Sequence, residues 1–160
     1  MSKSLKRVRA ALAAAGHPDT TQETALARTA QDAAKALGSE VDQIAKSIIF
    51  AGQQSGAAIL FITAGGNTVD AEKASALAGE PLGKADAALI RAQTGFAIGG
   101  VSPIGHLTPP RAFFDPALDA YDIVWAAAGT PTHVFSLCFD TEYCSNRKIA
   151  SDGGRMRTAH

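Results

Sequence analysis

Leu5, Val8, Leu12 and Ala15 recur at helical spacing near the start of the chain, and Gly16 and Pro18 end the pattern. The spacing predicts an amphipathic surface helix whose other side carries Lys3, Lys6 and Arg7. A solvated face is the ordinary reading of such a cluster; a face that contacts RNA is the other. Thr29-Ala30-Gln31-Asp32 resembles a capping box, and the segment Ala30 to Leu37 stops at Gly38, a suitable C-cap. Ser39 with Asp42 repeats the capping pattern and predicts a short helix to about Ala45.

The period then changes. Lys46-Ser47-Ile48-Ile49-Phe50 and Ala57-Ala58-Ile59-Leu60-Phe61-Ile62 flank the turn residues Gly52 to Gly56, which predicts a hairpin. The second arm is apolar on both faces and reads as a central strand. After Gly65-Gly66-Asn67, two alanine-rich stretches (about Asp70 to Ala78 and Lys84 to Thr94) predict helices. Phe96-Ala97-Ile98 reads as a short strand. Ile123 to Ala127 and His133 to Leu137 flank Gly129-Thr130-Pro131 and predict a second hairpin. There is no internal repeat and no linker, so the pattern describes one α+β domain over residues 1–140. From Asp140 the apolar periodicity is lost, and residues 141–160 read as a poorly ordered tail.

Composition narrows the chemistry. With 46% hydrophobic and 19% charged residues, global disorder is excluded as the expectation; with 6% aromatic residues, small-residue packing is expected. The 15 basic and 15 acidic residues cancel, so a nucleic-acid partner would be gripped locally rather than along a broad basic face. Cys138 and Cys144 have neither zinc-knuckle nor redox spacing and read as free thiols of a reducing cytoplasm, with no metal or cofactor called for. No apolar run suits a membrane span. Nucleophile elbows, metalloprotease helices and the deaminase zinc signature are all missing. Gly79-Glu80-Pro81-Leu82-Gly83-Lys84 has one residue too few between its glycines for a phosphate loop, and Ala85 stands where a hydroxyl should be.

One segment invites a chemical reading. Gly99-Gly100-Val101-Ser102-Pro103-Ile104-Gly105-His106 combines three glycines with a proline, which allows close backbone approach and fixes one φ angle. Such a loop can aim several N–H groups at a developing negative oxygen. A wide crossover between strands is the bland alternative. Taken alone, Lys46 reads as a solvated strand-end charge or a functional cation, and His133 as a structural histidine or a site residue.

Together, Lys46 opening KSIIF, GGVSPIGH following FAI, and GTPTHVFSL resemble the YbaK/EbsC family over about Thr20 to Leu137. These are freestanding relatives of the editing domain of bacterial prolyl-tRNA synthetase. The resemblance implies a largely antiparallel mixed sheet curled toward a barrel and covered by helices. It also implies a hydrolase that removes a wrong amino acid from tRNA in trans. Lys46 would hold the terminal adenosine or its phosphate, Gly99, Gly100 and Pro103 would line the aminoacyl pocket, and His133 would lie on its wall. The implied partner is the aminoacyl-tRNA 3′ end, with a presenting synthetase as a further candidate.

The residues agree with such chemistry. Ester hydrolysis needs a positioned water and a stabilised oxyanion but no covalent nucleophile, and backbone donors at Gly99 and Gly100 would supply the second. Lys46 would orient the substrate, and a ribose hydroxyl of the tRNA would assist the water, as the resemblance implies. The loop offers glycine, Val101, Ser102 and Ile104 with no carboxylate for a basic side chain, so small uncharged aminoacyl groups are expected: alanine, serine, threonine, cysteine or 2-aminobutyrate. Two departures stand out. The family's closing helix, turn and strand are replaced by FDTEYCSNRKIASDGGRMRTAH, and Ser47 occupies a position at which subfamilies differ. A noncatalytic nucleic-acid-binding or interaction module with a vestigial pocket is the competing reading.

Overall fold

The computed structural model describes residues 2–138, so the expectation for a disordered tail lies outside the described residues. Helix α1 (Lys3–Ala14) buries Leu5, Val8 and Leu12, as its spacing predicts, and the Ser2 side chain accepts from Leu5 N. Helix α2 (Ala30–Leu37) starts at Thr29, whose hydroxyl accepts from Asp32 N, and stops at Gly38 with φ of 65°. Helices α3 (Ala71–Ala78) and α4 (Ala87–Thr94) are capped by Asp70 and Asp86.

Seven strands form a single sheet: β1 (Gln22–Glu23), β2 (Ile44–Gly52), β3 (Ala58–Ala64), β4 (Leu82–Lys84), β5 (Arg111–Phe114), β6 (Ile123–Ala127) and β7 (His133–Cys138). Their order is β1-β7-β6-β2-β3-β5, with β4 paired to β2. Both predicted hairpins are present, β2–β3 and β6–β7. The two hairpins join through a parallel contact between β2 and β6, and β5 adds in parallel to β3. The sheet is mixed, as expected, but among the described residues it is not closed into a barrel: β1 and β5 end it.

All seven residues of β3 are buried, which accounts for an apolar run without alternation. Phe61 stacks on Phe113 at 5.1 Å and meets Phe50 edge-on at 5.5 Å. Phe61, Phe96 and Phe135 are fully buried; each large apolar side chain so placed contributes about 1.5–3 kcal/mol relative to exposure.

Three local expectations change. The helix expected from Ser39 to Ala45 is one 3-10 turn, Val41–Gln43, because Ile44 is already paired with Trp125. The helix expected from Lys84 starts at Ala87, since Leu82–Lys84 first pairs with Phe50 to Gly52. Phe96-Ala97-Ile98 forms no strand: Phe96 anchors the core, Ile98 stands exposed, and Gly100 N turns back to Ala97 O at 3.1 Å.

Candidate active site

The parallel contact between β2 and β6 lasts for only two residue pairs, Ile44↔Trp125 and Ala45↔Ala126. Beyond them the strands diverge, and β2 is next covered on that side by β4, from Phe50 onward. A cleft of about 540 Å³ opens at the divergence. Its walls are β2 from Ile44 to Ile49, the β6–β7 hairpin, the first turn of α2 with Arg28 before it, and the loop around Gly99. Ile44, Ile48, Ile49, Ile90 and Val101 make much of the lining apolar. Among the described residues, its charged lining is Arg28 and Lys46, with no carboxylate.

The cleft brings together Lys46, Ser47, Gly99, Val101 and His133, five of the residues singled out in the sequence. Lys46 Nζ donates to the main-chain oxygen of Asn67 at 2.5 Å. Asn67 is itself fixed, because its Nδ2 donates to Asp115 Oδ2 at 2.8 Å. Asp115 is fully buried, and its carboxylate also accepts from Ala64 N at 3.1 Å and Ala117 N at 2.9 Å. Main-chain donors thus satisfy this buried carboxylate on both oxygens, which is what makes its burial tolerable. His133 Nδ1 lies 2.7 Å from the Thr130 hydroxyl, which ties the histidine to its own hairpin turn.

Gly100, Ser102 and Pro103 lie behind the wall rather than on it. All three are buried, and the cleft lining passes from Gly99 to Val101. Ser102 Oγ accepts from Ile104 N at 3.2 Å, and His106 Nε2 donates to Ser102 O at 2.5 Å. A Cβ on Gly100 would come within 2.8 Å of Thr130 Cα. The glycine therefore lets the loop and the hairpin turn touch backbone to backbone.

Helix α1 braces both loops from outside. Arg7 Nη2 donates to Gly95 O at 2.7 Å and Nε to Gly105 O at 3.2 Å, while its guanidinium lies 4.8 Å from the Phe96 ring centroid. Gly129, with φ of 95°, packs so closely that a Cβ there would lie 2.9 Å from the Ser4 carbonyl carbon. Of the basic cluster on α1, Arg7 is thus a structural tie, while Lys3 and Lys6 are solvated. His106 packs edge-on to Phe96 at 5.2 Å. Burial holds its pKa below the ordinary 6.5, the Ser102 carbonyl opposes the shift, and nearby Arg7 adds to it.

Among the lining residues that sequence reasoning did not assign to the site are Arg28, Trp125 and Thr130. Arg28 directly precedes the cap of α2, and Trp125 is the half-buried residue between buried Val124 and Ala126. Their sequence signal was a cation at a helix start and a tryptophan out of phase with its strand's buried positions.

The cleft is mostly apolar with a few polar and cationic groups, the composition of a small-molecule site. A model of the aminoacyl-tRNA editing domain matches residues 24–140. The chain belongs to this family, and its resemblance to YbaK proteins is thereby shown. Among relatives, "Uncharacterized protein YwhH" of Bacillus subtilis is 30% identical over 119 residues, which are 74% of this chain and 75% of that protein. A solved structure described as a "putative trans-editing enzyme for prolyl tRNA synthetase" is 40% identical, with a TM-score of 0.87 over 100% of this chain and 99% of that one. "Hypothetical protein APE2540", 21% identical with a TM-score of 0.82 over 96% of this chain and 99% of that one, shares the fold. Among the described residues no helix is long and apolar enough to cross a membrane.

Proposed function

We propose that this protein hydrolyses, in trans, the ester between tRNA and a small uncharged amino acid of the alanine, serine, threonine, cysteine or 2-aminobutyrate class. The observation that carries this reading is the cleft lining, which among the described residues consists of branched apolar side chains and two cations without a carboxylate. A phosphodiester is attracted to Arg28 and Lys46, while a basic aminoacyl side chain finds no counter-charge. Lys46, held on the Asn67 carbonyl, keeps two further N–H donors for the 3′-terminal nucleotide. Gly99, which has no side chain, brings main chain to the opposite wall, where a donor to the tetrahedral oxyanion contributes about 3 kcal/mol. Gly100 supports that wall through its contact with Thr130, and Ser102 and Pro103 shape it from behind. A water positioned between the walls, assisted by the neighbouring ribose hydroxyl, attacks the ester carbonyl. The reaction so described needs neither a metal nor a covalent nucleophile.

The test is deacylation of one tRNA carrying alanine, serine or phenylalanine in turn. Selective loss of the alanyl or seryl ester is expected. Equal hydrolysis of the phenylalanyl ester would refute the size sieve, and hydrolysis of none would favour a noncatalytic binding module.

A further inference from the structure

Strand β2 has a break in its outer hydrogen-bond ladder, and the break faces the cleft. Gly52 N donates to Ala57 O at 2.9 Å, so the even-numbered residues of β2 exchange main-chain bonds with β3. The odd-numbered residues then turn their N–H and C=O groups to the opposite edge. Gln53 confirms the phase, since its N–H donates to Pro81 O at 2.9 Å on the β4 side. Along that outer edge, Ala45 is paired with Ala126 of β6 and Ala51 with Gly83 of β4. Ser47 lies in the interval, where neither strand reaches. The ladders to β6 and β4 do not include it, no loop residue is bonded to its main chain, and its Oγ is buried without a partner.

The N–H and C=O of one half-buried strand residue are therefore left open along the edge of a partly apolar cleft, beside a buried and unpartnered Oγ. Main-chain donors and acceptors in folded proteins are nearly always paired, with protein or with water, so an open pair of this kind is a ready partner for a ligand. The missing partner has a defined shape: one donor and one acceptor on the same short extended unit, spaced as in a strand residue.

We infer that the aminoacyl group itself fills this gap as a one-residue strand, its α-ammonium donating to Ser47 O and its ester carbonyl accepting from Ser47 N–H on one lone pair, which leaves the other for the donor of the Gly99 wall. This rests on the reading given under the proposed function and adds a recognition element to it. The free α-amine is then required of every substrate, whatever its side chain. Selection by size is left to the apolar wall.

The test compares alanyl-tRNA with lactyl-tRNA, in which a hydroxyl replaces the amine, and with N-acetyl-alanyl-tRNA, each rate divided by that ester's uncatalysed rate. A hydrogen bond to a charged group is worth about 1.5–3 kcal/mol, so kcat/KM for the lactyl ester is expected to fall on the order of 10–150-fold, and further for the bulkier N-acetyl ester. The alanyl-to-lactyl ratio should persist in Ser47→Ala, because main chain provides the contact. Equal normalised rates for the three esters would overturn the inference, as would loss of discrimination in Ser47→Ala.

A second measurement does not depend on turnover. Amide exchange at Ser47 should be fast in the free protein while Lys46 and Ile48 are protected, and binding of 3′-deoxy-3′-(L-alanylamino)adenosine should slow it at least about tenfold. An already protected Ser47 amide, or analogue binding that leaves it unchanged, would overturn the pairing. Protection of Ser47 without hydrolysis of any mischarged tRNA would uphold the pairing and refute the catalytic reading instead.

Discussion

The two long walls of the cleft are built on opposite principles. The β2 wall is a strand in the middle of the sheet, held by register to β3 on one side and by β6 and β4 at its ends. Its stiffness comes from a repeating ladder, and its chemistry comes from one interruption in that ladder. The Gly99 wall has no ladder at all. It is a loop held by separate ties: Gly100 against Thr130, Ser102 and His106 to each other, and Arg7 across Gly95 and Gly105. A change in the first wall should therefore affect chemistry with little effect on stability, and a change in the second should affect both.

Lys46→Ala is the sharpest way to separate the walls. It removes an orienting cation from a half-buried position and leaves the Asn67 carbonyl to water. Deacylation should fall by about 100-fold or more, an effect on the order of 3 kcal/mol, with Tm nearly unchanged. A Tm drop as large as that of a core substitution, measured by calorimetry, would make Lys46 structural and erase the contrast.

Gly100→Ala tests the other wall. The added methyl meets Thr130 backbone at 2.8 Å, so the loop and the hairpin turn must move apart. A stability loss of about 1–3 kcal/mol is expected in urea unfolding, accompanied by reduced activity. Loss of activity at full stability would mean that Gly100 acts on the substrate directly.

Arg7→Met should be milder. The two carbonyl bonds and the contact with Phe96 go, but the aliphatic stem can still pack, so about 1–2 kcal/mol is expected. Activity measured well below the new Tm should drop more than it does for a surface substitution such as Lys6→Met. Equal behaviour of the two variants would show that α1 does not brace the loop.

The smallest effect is a pH dependence. His106 has its folded-state pKa lowered by burial, so below pH 6.5 the unfolded chain binds a proton that the folded chain resists. Its contribution to stability is fully present above 6.5 and declines as the pH falls. His106→Gln should flatten the acid side of the Tm profile in the range below 6.5. An unchanged profile would remove His106 from the loop's set of ties.

How much of this was legible in the sequence differs by wall as well. The caps of α2 and the two hairpins were readable because each is a local pattern: Thr29 with Asp32, Gly38, and apolar runs around glycines. Lys46 and Ser47 could be placed at a strand entrance for the same reason. The parallel β2–β6 contact was not readable, since it joins residues about eighty apart and ends after two pairs. The loop residues could be named but not aimed. Nothing in GGVSP says that Gly99 and Val101 line a cleft while Ser102 and Pro103 face the interior; that depends on Thr130 and Arg7 lying against it. The short strands β4 and β5 lack any alternation long enough to announce them.

Helix α1 lies outside the matched portion of the chain, yet it braces loops drawn from Gly95 to Gly129. During synthesis this order has a cost in time. The helix emerges early, but its last docking partner, Gly129, is made about 115 residues after Ala14. At about 5–20 residues per second, that interval is roughly 6–23 s. Throughout it, Leu5, Val8 and Leu12 have no finished surface to pack on.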